Sequence, residues 1–400
     1  MTRITVLGSP SSYDKPYFNA VEWLTQPRRD PERNTLTILR KFSSTLPRVP
    51  LNEEEDLARQ SFGGGYFLQW GGYGLVIDPG FNFIENFGKY THLTVANIDG
   101  VLLTHAHSDH THDFEPLVDL VYERNRQGIL ADGDDYARKR IDVYLNPTAY
   151  GKFAGMLSRV KCEKSDDCPV EGVTELDRKK PIELSNYLNQ HVLTVYPQKA
   201  EHKDNYGSDC MGVKVELLDP LNPSDVRWTI GITSDSGWFD GMVKAYSGVD
   251  LLIPHVGFIR PSHIEAAKNG DAAKLESMVG EKDWGNTHLG LPGAFWLVKE
   301  VGPTLAILSE FNYQAGDTDL RLFAADAVEE LSGRYEEGGW NGPRCLAGTL
   351  GLSVELGDTM KIKCDSLNDY VVPWEYQQTA DNAHRRITCC CDAHSSARRV

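Results

Sequence analysis

The sequence lacks any long hydrophobic run. Its apolar stretches, such as residues 251–253 and 305–308, are far shorter than the roughly 20 residues that a membrane-spanning helix requires. Residues 1–8 predict a short strand and not the charged and apolar segment of a secretion signal. We therefore expect a cytoplasmic protein that makes no contact with a membrane.

The sequence is also short of positive charge. Its 41 Lys and Arg residues stand against 57 Asp and Glu residues, which gives a formal net charge of −16. Because proteins hold long nucleic acids through many contacts between cationic side chains and phosphates, extended nucleic-acid binding is not expected. Residues 27–48 are locally basic and are interpreted as a solvated charged loop; the alternative is a segment that gathers an anionic substrate at the mouth of the site. The basic residues of this segment are Arg28, Arg29, Arg33, Arg40, Lys41 and Arg48.

Paired cysteines are missing as well. The eight cysteines include no C-x-x-C pair of the kind that zinc modules use, so reduced thiols are expected. The run of Cys389, Cys390 and Cys391 between His384 and His394 is a weak zinc candidate, because three adjacent thiols cannot easily point inward together.

What the sequence does contain is a succession of short strands with helices between some of them, which predicts one layered α/β sandwich domain. The domain is expected to span residues 1–375, with an insertion at about 13–60, a polar surface excursion at about 161–180 and a flexible polar tail at 376–400. The segments with a clear pattern are strands or hairpins at 66–77, 98–104, 141–145, 192–196, 212–217, 228–232, 251–253, 305–308 and 351–363, and helices at 114–125, 150–160, 264–279, 292–301 and 321–331.

The strongest chemical signal is the run Thr104-His-Ala-His-Ser-Asp-His110, which follows an apolar strand. On an extended loop, side chains two positions apart point the same way, so His105 and His107 can bind one metal ion. Asp109 and His110 then turn toward a second ion. Neutral imidazole and carboxylate ligands suit Zn²⁺, Mn²⁺ or Fe.

This H-x-H-x-D-H motif makes the chain resemble the metallo-β-lactamase superfamily. The residues Leu-Val-Ile-Asp78-Pro-Gly resemble a second signature of that family, in which the Asp braces the metal-binding loop. His202 and Asp235 resemble the family's third ligand His and the Asp that bridges two metals. The opening residues 4–9 also look like the family's first strand, and the matching segments follow in the family's order over residues 1–320. The resemblance implies an αββα four-layer sandwich, two divalent ions and hydrolase activity.

The downstream half is most similar to the phosphodiesterase branch that includes tRNA 3′-end endonuclease (RNase Z) and cyclic-nucleotide phosphodiesterases. His288 lies in a turn before a helix, as a His of that branch does. Two positions depart from the branch: Glu310 stands where it usually has its last ligand His, and His255 where it usually has Glu. Both departures concern the second metal.

The resemblance assigns a role to each candidate residue. His105, His107 and His202 would hold metal one, Asp109 and His110 metal two, and Asp235 both. A hydroxide between the metals would attack the substrate, oriented by Asp109, while His288 protonates the leaving oxygen or clamps the phosphoryl group. Glu310 is a candidate ligand of metal two or a carboxylate beside it. His255 is a candidate catalytic residue or a satisfied core His, and His112 is expected at the loop surface or behind the ligands.

The preferred function is a metal-dependent phosphodiesterase that acts on a small nucleotide or a nucleic-acid end. The expected cofactors are two ions of Zn²⁺ or Mn²⁺, with Mg²⁺ or Fe as alternatives at the second site. Two other functions stay open: hydrolysis of a carboxylic ester, lactone or thioester, and a catalytically weak metal-binding module for sensing or scaffolding. The expected partner is an anionic small molecule, and a homodimer is possible.

Overall fold

The apolar and alternating runs of the sequence form the strands of two large sheets in the computed structural model of the protein. The structure describes residues 24, 28, 30, 32–43, 61–130, 139–160, 168–204, 207, 210–281, 288–312, 319–336, 339–364, 374–377 and 386–389. The strands of these residues are β1 (Thr35–Ile38), β2 (Tyr66–Trp70), β3 (Tyr73–Ile77), β4 (Gly100–Leu103), β5 (Ile141–Leu145), β6 (Val170–Glu175), β7 (Ile182–Ser185), β8 (His191–Lys199), β9 (Met211–Asp219), β10 (Asn222–Ile232), β11 (Leu251–Ile253), β12 (His255–Gly257), β13 (Leu305–Phe311), β14 (Arg334–Glu336), β15 (Gly339–Asn341), β16 (Arg344–Ala347), β17 (Leu352–Leu356), β18 (Thr359–Cys364), β19 (Trp374–Gln377) and β20 (Arg386–Cys389).

Helices connect many of these strands. Within the described residues they are α1 (Phe83–Thr91), α2 (Ser108–Thr111), α3 (Phe114–Leu130), α4 (Pro147–Val160), α5 (Met242–Ala245), α6 (Pro261–Lys268), α7 (Ala272–Ser277), α8 (Gly290–Val301) and α9 (Asp319–Ser332). No helix in this part of the chain combines the length and the apolar character that crossing a bilayer requires.

The strands are arranged in two sheets and a separate hairpin. The first sheet has the order β20-β19-β18-β17-β1-β2-β3-β4-β5-β6, and β3 to β6 run parallel to one another. The second has the order β12-β13-β11-β10-β9-β8-β7, with β16 also paired to β13. β14 and β15 form the hairpin. In both sheets, parallel pairs bring the carboxyl ends of neighbouring strands to one edge.

Three buried clusters divide the molecule into layers. The inner faces of the two sheets pack through residues such as Leu75, Ile230 and Ile253. A second cluster joins the outer face of the first sheet to α1, α3 and α4, and a third joins the outer face of the second sheet to α5 through α9. The layers are therefore helix, sheet, sheet, helix, which confirms the predicted αββα sandwich.

Four predicted segments differ in the structure. β1 lies within the predicted insertion at 13–60 and pairs on both edges, with β2 and β17, because Thr35–Ile38 is a buried run of β-branched and apolar residues. β6 lies within the predicted excursion at 161–180. The helix predicted at 264–279 is two helices, since Gly270 has a φ of 66° and Asp271 caps α7 through the Lys274 amide. β19 and β20 extend the first sheet into the predicted tail.

The basic segment at 27–48 is not a solvated loop at the positions described. Arg40 has no exposed surface, and Arg28 pairs with Asp99, so the loop interpretation is wrong for both. Burial of β1 carries Arg40 into the interior between the two sheets. Arg29 and Arg48 lie outside the described residues.

The structure tests the prediction of reduced thiols at three cysteines. Cys168 is disulfide-bonded, so the expectation of reduced thiols is wrong there, whereas Cys210 and Cys345 are free. The predicted opening strand at residues 1–8 and the residues Cys390, Cys391, His384 and His394 of the weak zinc candidate lie outside the described residues.

Candidate metal centre

The candidate residues converge because the strands that precede them end at the same edge of the sandwich. His105 follows β4, His202 follows β8 and Asp235 follows β10, while His255 begins β12 and Glu310 lies near the end of β13. β10, β11 and β13 are mutually parallel neighbours, so their carboxyl ends are side by side. The topology thus assembles residues that are far apart in the sequence.

The His-rich loop supplies ligands to two places because it changes conformation at its centre. His107 is extended, with φ −60° and ψ 149°, and the single turn of α2 that follows carries Asp109 and His110. The loop packs closely on Gly80, where a Cβ atom would lie 1.7 Å from the Asp109 carbonyl oxygen. Only glycine fits there, which explains the Gly of the Asp78-Pro79-Gly80 turn.

One donor set consists of three imidazoles and a carboxylate. His202 Nε2 lies 3.2 Å from His107 Nδ1 and 3.9 Å from Asp235 Oδ2, and His105 Nε2 lies 3.5 Å from the same oxygen. Two atoms that each lie about 2.1 Å from a tetrahedral ion are roughly 3.4 Å apart. These four residues, which we call the first donor set, therefore have the spacing that a tetrahedral ion requires.

A second donor set lies beside the first and is richer in carboxylate. Asp109, His110 and Glu310 each offer an atom within 4.8 Å of the others. His110 Nε2 lies 3.8 Å from Glu310 Oε1, 4.0 Å from Asp109 Oδ2 and 3.4 Å from Asp235 Oδ2. Because Asp235 Oδ2 is also close to His105 and His202, this oxygen belongs to both sets.

The side chains of the two sets leave polar atoms unpaired inside the protein. His105 Nε2, His110 Nε2 and Glu310 Oε1 are buried and make no hydrogen bond. Such atoms are rare in folded proteins because a buried polar atom without a partner is costly. Imidazole nitrogens and carboxylate oxygens that converge in this way fit divalent cations.

Asp78 orients the imidazoles of the loop, as the second signature implies. Its Oδ2 accepts hydrogen bonds from His110 Nδ1 at 3.0 Å and from Thr104 Oγ1 at 2.6 Å. Thr104 Oγ1 in turn lies 3.1 Å from His105 Nδ1. With Nδ1 protonated, Nε2 of His110 keeps its lone pair free to bind a metal.

Strained backbone accompanies this arrangement. Asp78, Ser234 and Glu310 have φ values of 53°, 54° and 59°, in the left-handed region that non-glycine residues rarely adopt. Each lies beside or within the donor sets, at the end of a strand. Strain of this kind persists where the surrounding structure holds a side chain in a required direction.

The two donor sets differ in their electrostatics. Burial lowers the pKa of His107 to about 4 and that of His202 to about 3, so these two of the three imidazoles of the first set are neutral. At His110, burial and Arg40 oppose protonation, but the carboxylates of Asp235 and others raise its pKa well above the usual value. Burial raises the pKa of Glu310 to about 7 despite the nearby Arg40. His110 and Glu310 of the second set therefore bind protons more readily than His107 and His202 of the first.

His288 lies on the open side of the shared oxygen. Its Nε2 is 3.3 Å from Asp235 Oδ2, and its side chain is 15% exposed. Burial opposes the charged imidazole, but Asp235 raises its pKa above the usual value. The ring packs over Gly257, where a Cβ atom would lie 2.5 Å from the His288 ring and Cβ. Glycine at this position lets His288 reach the centre.

His255 has both ring nitrogens engaged by the protein. Nδ1 lies 2.9 Å from Asp235 Oδ1 and Nε2 lies 2.8 Å from the Tyr66 hydroxyl, which is also 2.9 Å from Ser309 Oγ. Burial lowers the pKa of His255 to about 4. The neutral imidazole is therefore hydrogen-bonded to Asp235 through Nδ1 and to the Tyr66 hydroxyl through Nε2.

His112 lies at the surface. Its side chain is 51% exposed, its Nδ1 is 2.8 Å from Asp113 Oδ1, and its ring lies 4.3 Å from that of Phe81.

Three residues that contact the donor sets or the His-rich loop were not identified as such from the sequence. Arg40 reaches the second donor set, and the strand-like run at residues 35–38 was the signal that could have placed it in the interior. Asp204 accepts a hydrogen bond from the Ala106 amide at 2.9 Å. Lys152 of α4 donates to the Ala106 carbonyl oxygen and to Thr111 Oγ1 at 2.8 and 2.7 Å, and no local pattern marks it.

Comparisons with known proteins agree with this fold and site. Residues 73–309, more than half of the chain, match the family model described as beta-lactamase superfamily domain. No curated protein sequence matches the chain significantly.

Three solved structures illustrate the similarity of fold. YhfI from Bacillus subtilis, a metallo-beta-lactamase fold protein, has 16% identity and a TM-score of 0.52, covering 80% of this chain and 99% of that chain. A diphosphatase from the PhnP family has 15% identity and a TM-score of 0.51 over 81% and 98%. The short form of human tRNase Z has 16% identity and a TM-score of 0.45 over 81% and 99%. At this level of identity the likeness to YhfI and to the PhnP-family diphosphatase shows a shared fold. The chain belongs to the beta-lactamase superfamily, whose members are largely metal-dependent hydrolases.

Proposed function

We propose that the chain is a phosphodiesterase that acts on a small nucleotide or a nucleic-acid end with two divalent cations. One observation carries the proposal. Asp235 Oδ2 lies 3.5, 3.4 and 3.9 Å from Nε2 of His105, His110 and His202, and 3.3 Å from Nε2 of His288. A single oxygen placed between two donor sets is the arrangement that a pair of bridged cations requires.

The residues of each set fit a different kind of cation. His105, His107 and His202 would hold the first ion, and their three imidazoles suit Zn²⁺. Asp109, His110 and Glu310 would hold the second, where the oxygen-rich set favours Mn²⁺, Mg²⁺ or Fe. When bound, the two cations supply an activated water molecule and neutralise negative charge on the substrate. The proposed cofactors are therefore two divalent metal ions, which are also the cofactors expected from the sequence.

Residues of the chain are proposed to orient the water molecule, to donate a proton and to position Asp235. Asp109 would orient the attacking water by accepting a hydrogen bond from it. His288 is the candidate donor of a proton to the leaving oxygen, because its side chain is partly exposed and its Nε2 lies 3.3 Å from the shared carboxylate oxygen. His255 is proposed to position Asp235, and not to act on substrate, because both its nitrogens are already engaged.

A phosphodiester suits this centre better than a carboxylic ester does. A phosphodiester presents two non-bridging oxygens that can span two cations, whereas an ester carbonyl presents one. A net charge of −16 opposes the approach of long polyanions and favours a small substrate.

The direct test is turnover of a chromogenic phosphodiester by the purified protein in added Mn²⁺. We expect turnover that Asp109→Ala abolishes and that the exposed control Asp119→Ala preserves. Cyclic nucleotides, dinucleotides and RNA 3′ ends then identify the substrate class. Turnover of carboxylic esters, lactones or thioesters alone would replace the phosphodiesterase proposal, and bound metal without turnover of any of these would indicate a sensing or scaffold module.

A further inference from the structure

Arg40 is a cation that the fold places at the second donor set. It follows β1, and its side chain has no exposed surface. The Leu39 amide donates to the Gly65 carbonyl oxygen, and Phe42 forms bridges with Phe62 and Phe311. These contacts fix the chain on both sides of Arg40 and direct its side chain at the centre.

All three nitrogens of the guanidinium approach residues of the second set. Nε lies 2.8 Å from Glu310 Oε2, Nη2 donates to the Asp109 carbonyl oxygen at 2.8 Å, and Nη1 lies 3.3 Å from His110 Nδ1. Because His110 Nδ1 donates to Asp78, its contact with Nη1 is electrostatic and not a second hydrogen bond. Arg40 thus contacts each of the three residues that belong to the second set alone.

The charges of the two sets show what this contact does. The first set contains three imidazoles and Asp235. The second contains Asp109, Glu310 and the shared Asp235, and a guanidinium is permanently charged in proteins. Burial opposes the charge of Arg40, but Glu310 and its other neighbours keep its pKa above the usual value. Arg40 therefore cancels one of the three carboxylate charges that would otherwise attract a cation.

Arg40 also limits how Glu310 can bind a metal. Its Nε forms an ion pair with Oε2 at 2.8 Å, and Oε1 faces His110 Nε2 at 3.8 Å; neither oxygen makes a hydrogen bond. A carboxylate that offers one oxygen suits the small octahedral ions, whereas Ca²⁺ takes six to eight oxygen ligands and often gains two of them from one bidentate carboxylate.

We propose that Arg40 is a specificity residue of the second metal site, which weakens that site relative to the first and discriminates against Ca²⁺. The inference rests on the proposed two-cation centre and goes beyond it, since it assigns unequal affinity and ion choice to a side chain that binds no metal.

The test is calorimetric titration of metal-stripped protein with Mn²⁺ and with Ca²⁺. For the natural protein we expect two Mn²⁺ sites of unequal affinity and little Ca²⁺ binding at the weaker one. Arg40→Met should tighten Mn²⁺ binding at the weaker site by roughly tenfold or more, because a positive charge next to it is removed, and should allow Ca²⁺ to bind. Arg40→Lys keeps the charge and should keep the weak site.

Arg321→Met is the matched control. Arg321 is also buried and donates to the Gly348 carbonyl oxygen at 2.8 Å, outside both donor sets. Its loss should leave both Mn²⁺ affinities unchanged. Equal affinities in the natural protein and Arg40→Met, or a single Mn²⁺ site in both, would overturn the inference.

Removing Arg40 leaves Glu310 buried without its partner, and the variant could be poorly folded without metal. In that case Mn²⁺ must raise its melting temperature more than it raises that of the natural protein, because binding to the folded state stabilises it. Absence of this rescue also overturns the inference. Metal binding as expected without turnover of any phosphodiester would contradict the proposed reaction and leave the inference intact.

Discussion

The two donor sets share one oxygen and one loop, yet they are built differently. His107 and His202 of the first set are neutral because burial excludes their charged forms. In the second set, His110 and Glu310 bind protons more readily, and the guanidinium of Arg40 adds a positive charge that opposes a metal. A cation at the first set meets the neutral imidazoles of His107 and His202. A cation at the second set must compete with protons and is repelled by the fixed charge of Arg40. A centre with two sites need not have two equivalent ones.

Removal of the shared carboxylate should have the largest effect, because it damages both sets at once. Asp235→Asn keeps the size of the side chain and removes the charge that lies between the two sites. We expect loss of both metals and a fall in turnover on the order of 10³-fold. Metal analysis by mass spectrometry and phosphodiester assays measure these effects, and a variant that keeps two metals would show that Asp235 is not shared.

A substitution in one donor set should weaken metal binding at that site and leave the other site occupied. Glu310→Gln should retain the first ion and lose the second, because it lowers the negative charge of the second set and removes the carboxylate that pairs with Arg40. His202→Ala should weaken the first site instead. Metal content after dialysis should fall from two ions per chain to one in Glu310→Gln. Loss of both ions, or of neither, in Glu310→Gln would contradict the proposed assignment of Glu310 to the second site alone.

Acidification should release the second ion before the first. Protons compete with metal only where a ligand titrates in the range studied. The low pKa values of His107 and His202, about 4 and about 3, make these two ligands insensitive to pH between 6 and 8. Burial raises the pKa of Glu310 to about 7, so metal affinity of the second set should rise as pH increases from 6 to 8, by up to about tenfold per unit for each proton displaced.

Proton release distinguishes the two binding steps directly. Calorimetry in buffers of different ionisation enthalpy should show more protons released by the weaker step. Equal release by the two steps would contradict the electrostatic difference between the sets.

The smallest effect is expected for a substitution of Tyr66, whose hydroxyl contacts His255. Tyr66→Phe removes the hydroxyl that contacts His255 and Ser309, and a buried hydrogen bond contributes about 1 kcal/mol to stability. We expect a modest fall in the free energy of unfolding, a few-fold change in turnover and unchanged metal content. Urea denaturation and metal analysis check this, and loss of metal would mean that the network holds Asp235 more strongly than proposed.

The sequence predicted the layers and the ligand candidates because both depend on local signals. The H-x-H-x-D-H spacing is visible without a fold, and apolar strands that end at Asp235 and before His255 mark the edge of the sheets. The structure brings together His105, His107, Asp109, His110, His202, Asp235, His288 and Glu310, all of which the sequence had nominated.

The rest depended on contacts between distant segments. Arg40 looked like one of several basic residues in a proline-rich stretch, and only the pairing of β1 with β17, over 300 residues away in the chain, places it inside. Likewise, the engagement of His255 by Tyr66 requires the two sheets to face each other. Electrostatic partners across a sandwich leave no periodic trace in the sequence.

Anomalous diffraction from crystals soaked in Mn²⁺ would locate the ions relative to Asp235. We expect two peaks, each at a direct bonding distance of about 2.0–2.2 Å from Asp235 Oδ2, with His202 beside one and Glu310 Oε1 beside the other. The second peak should lose occupancy first when the Mn²⁺ concentration is lowered. A single peak, or two peaks that do not share Asp235, would show that Asp235 does not bridge two cations.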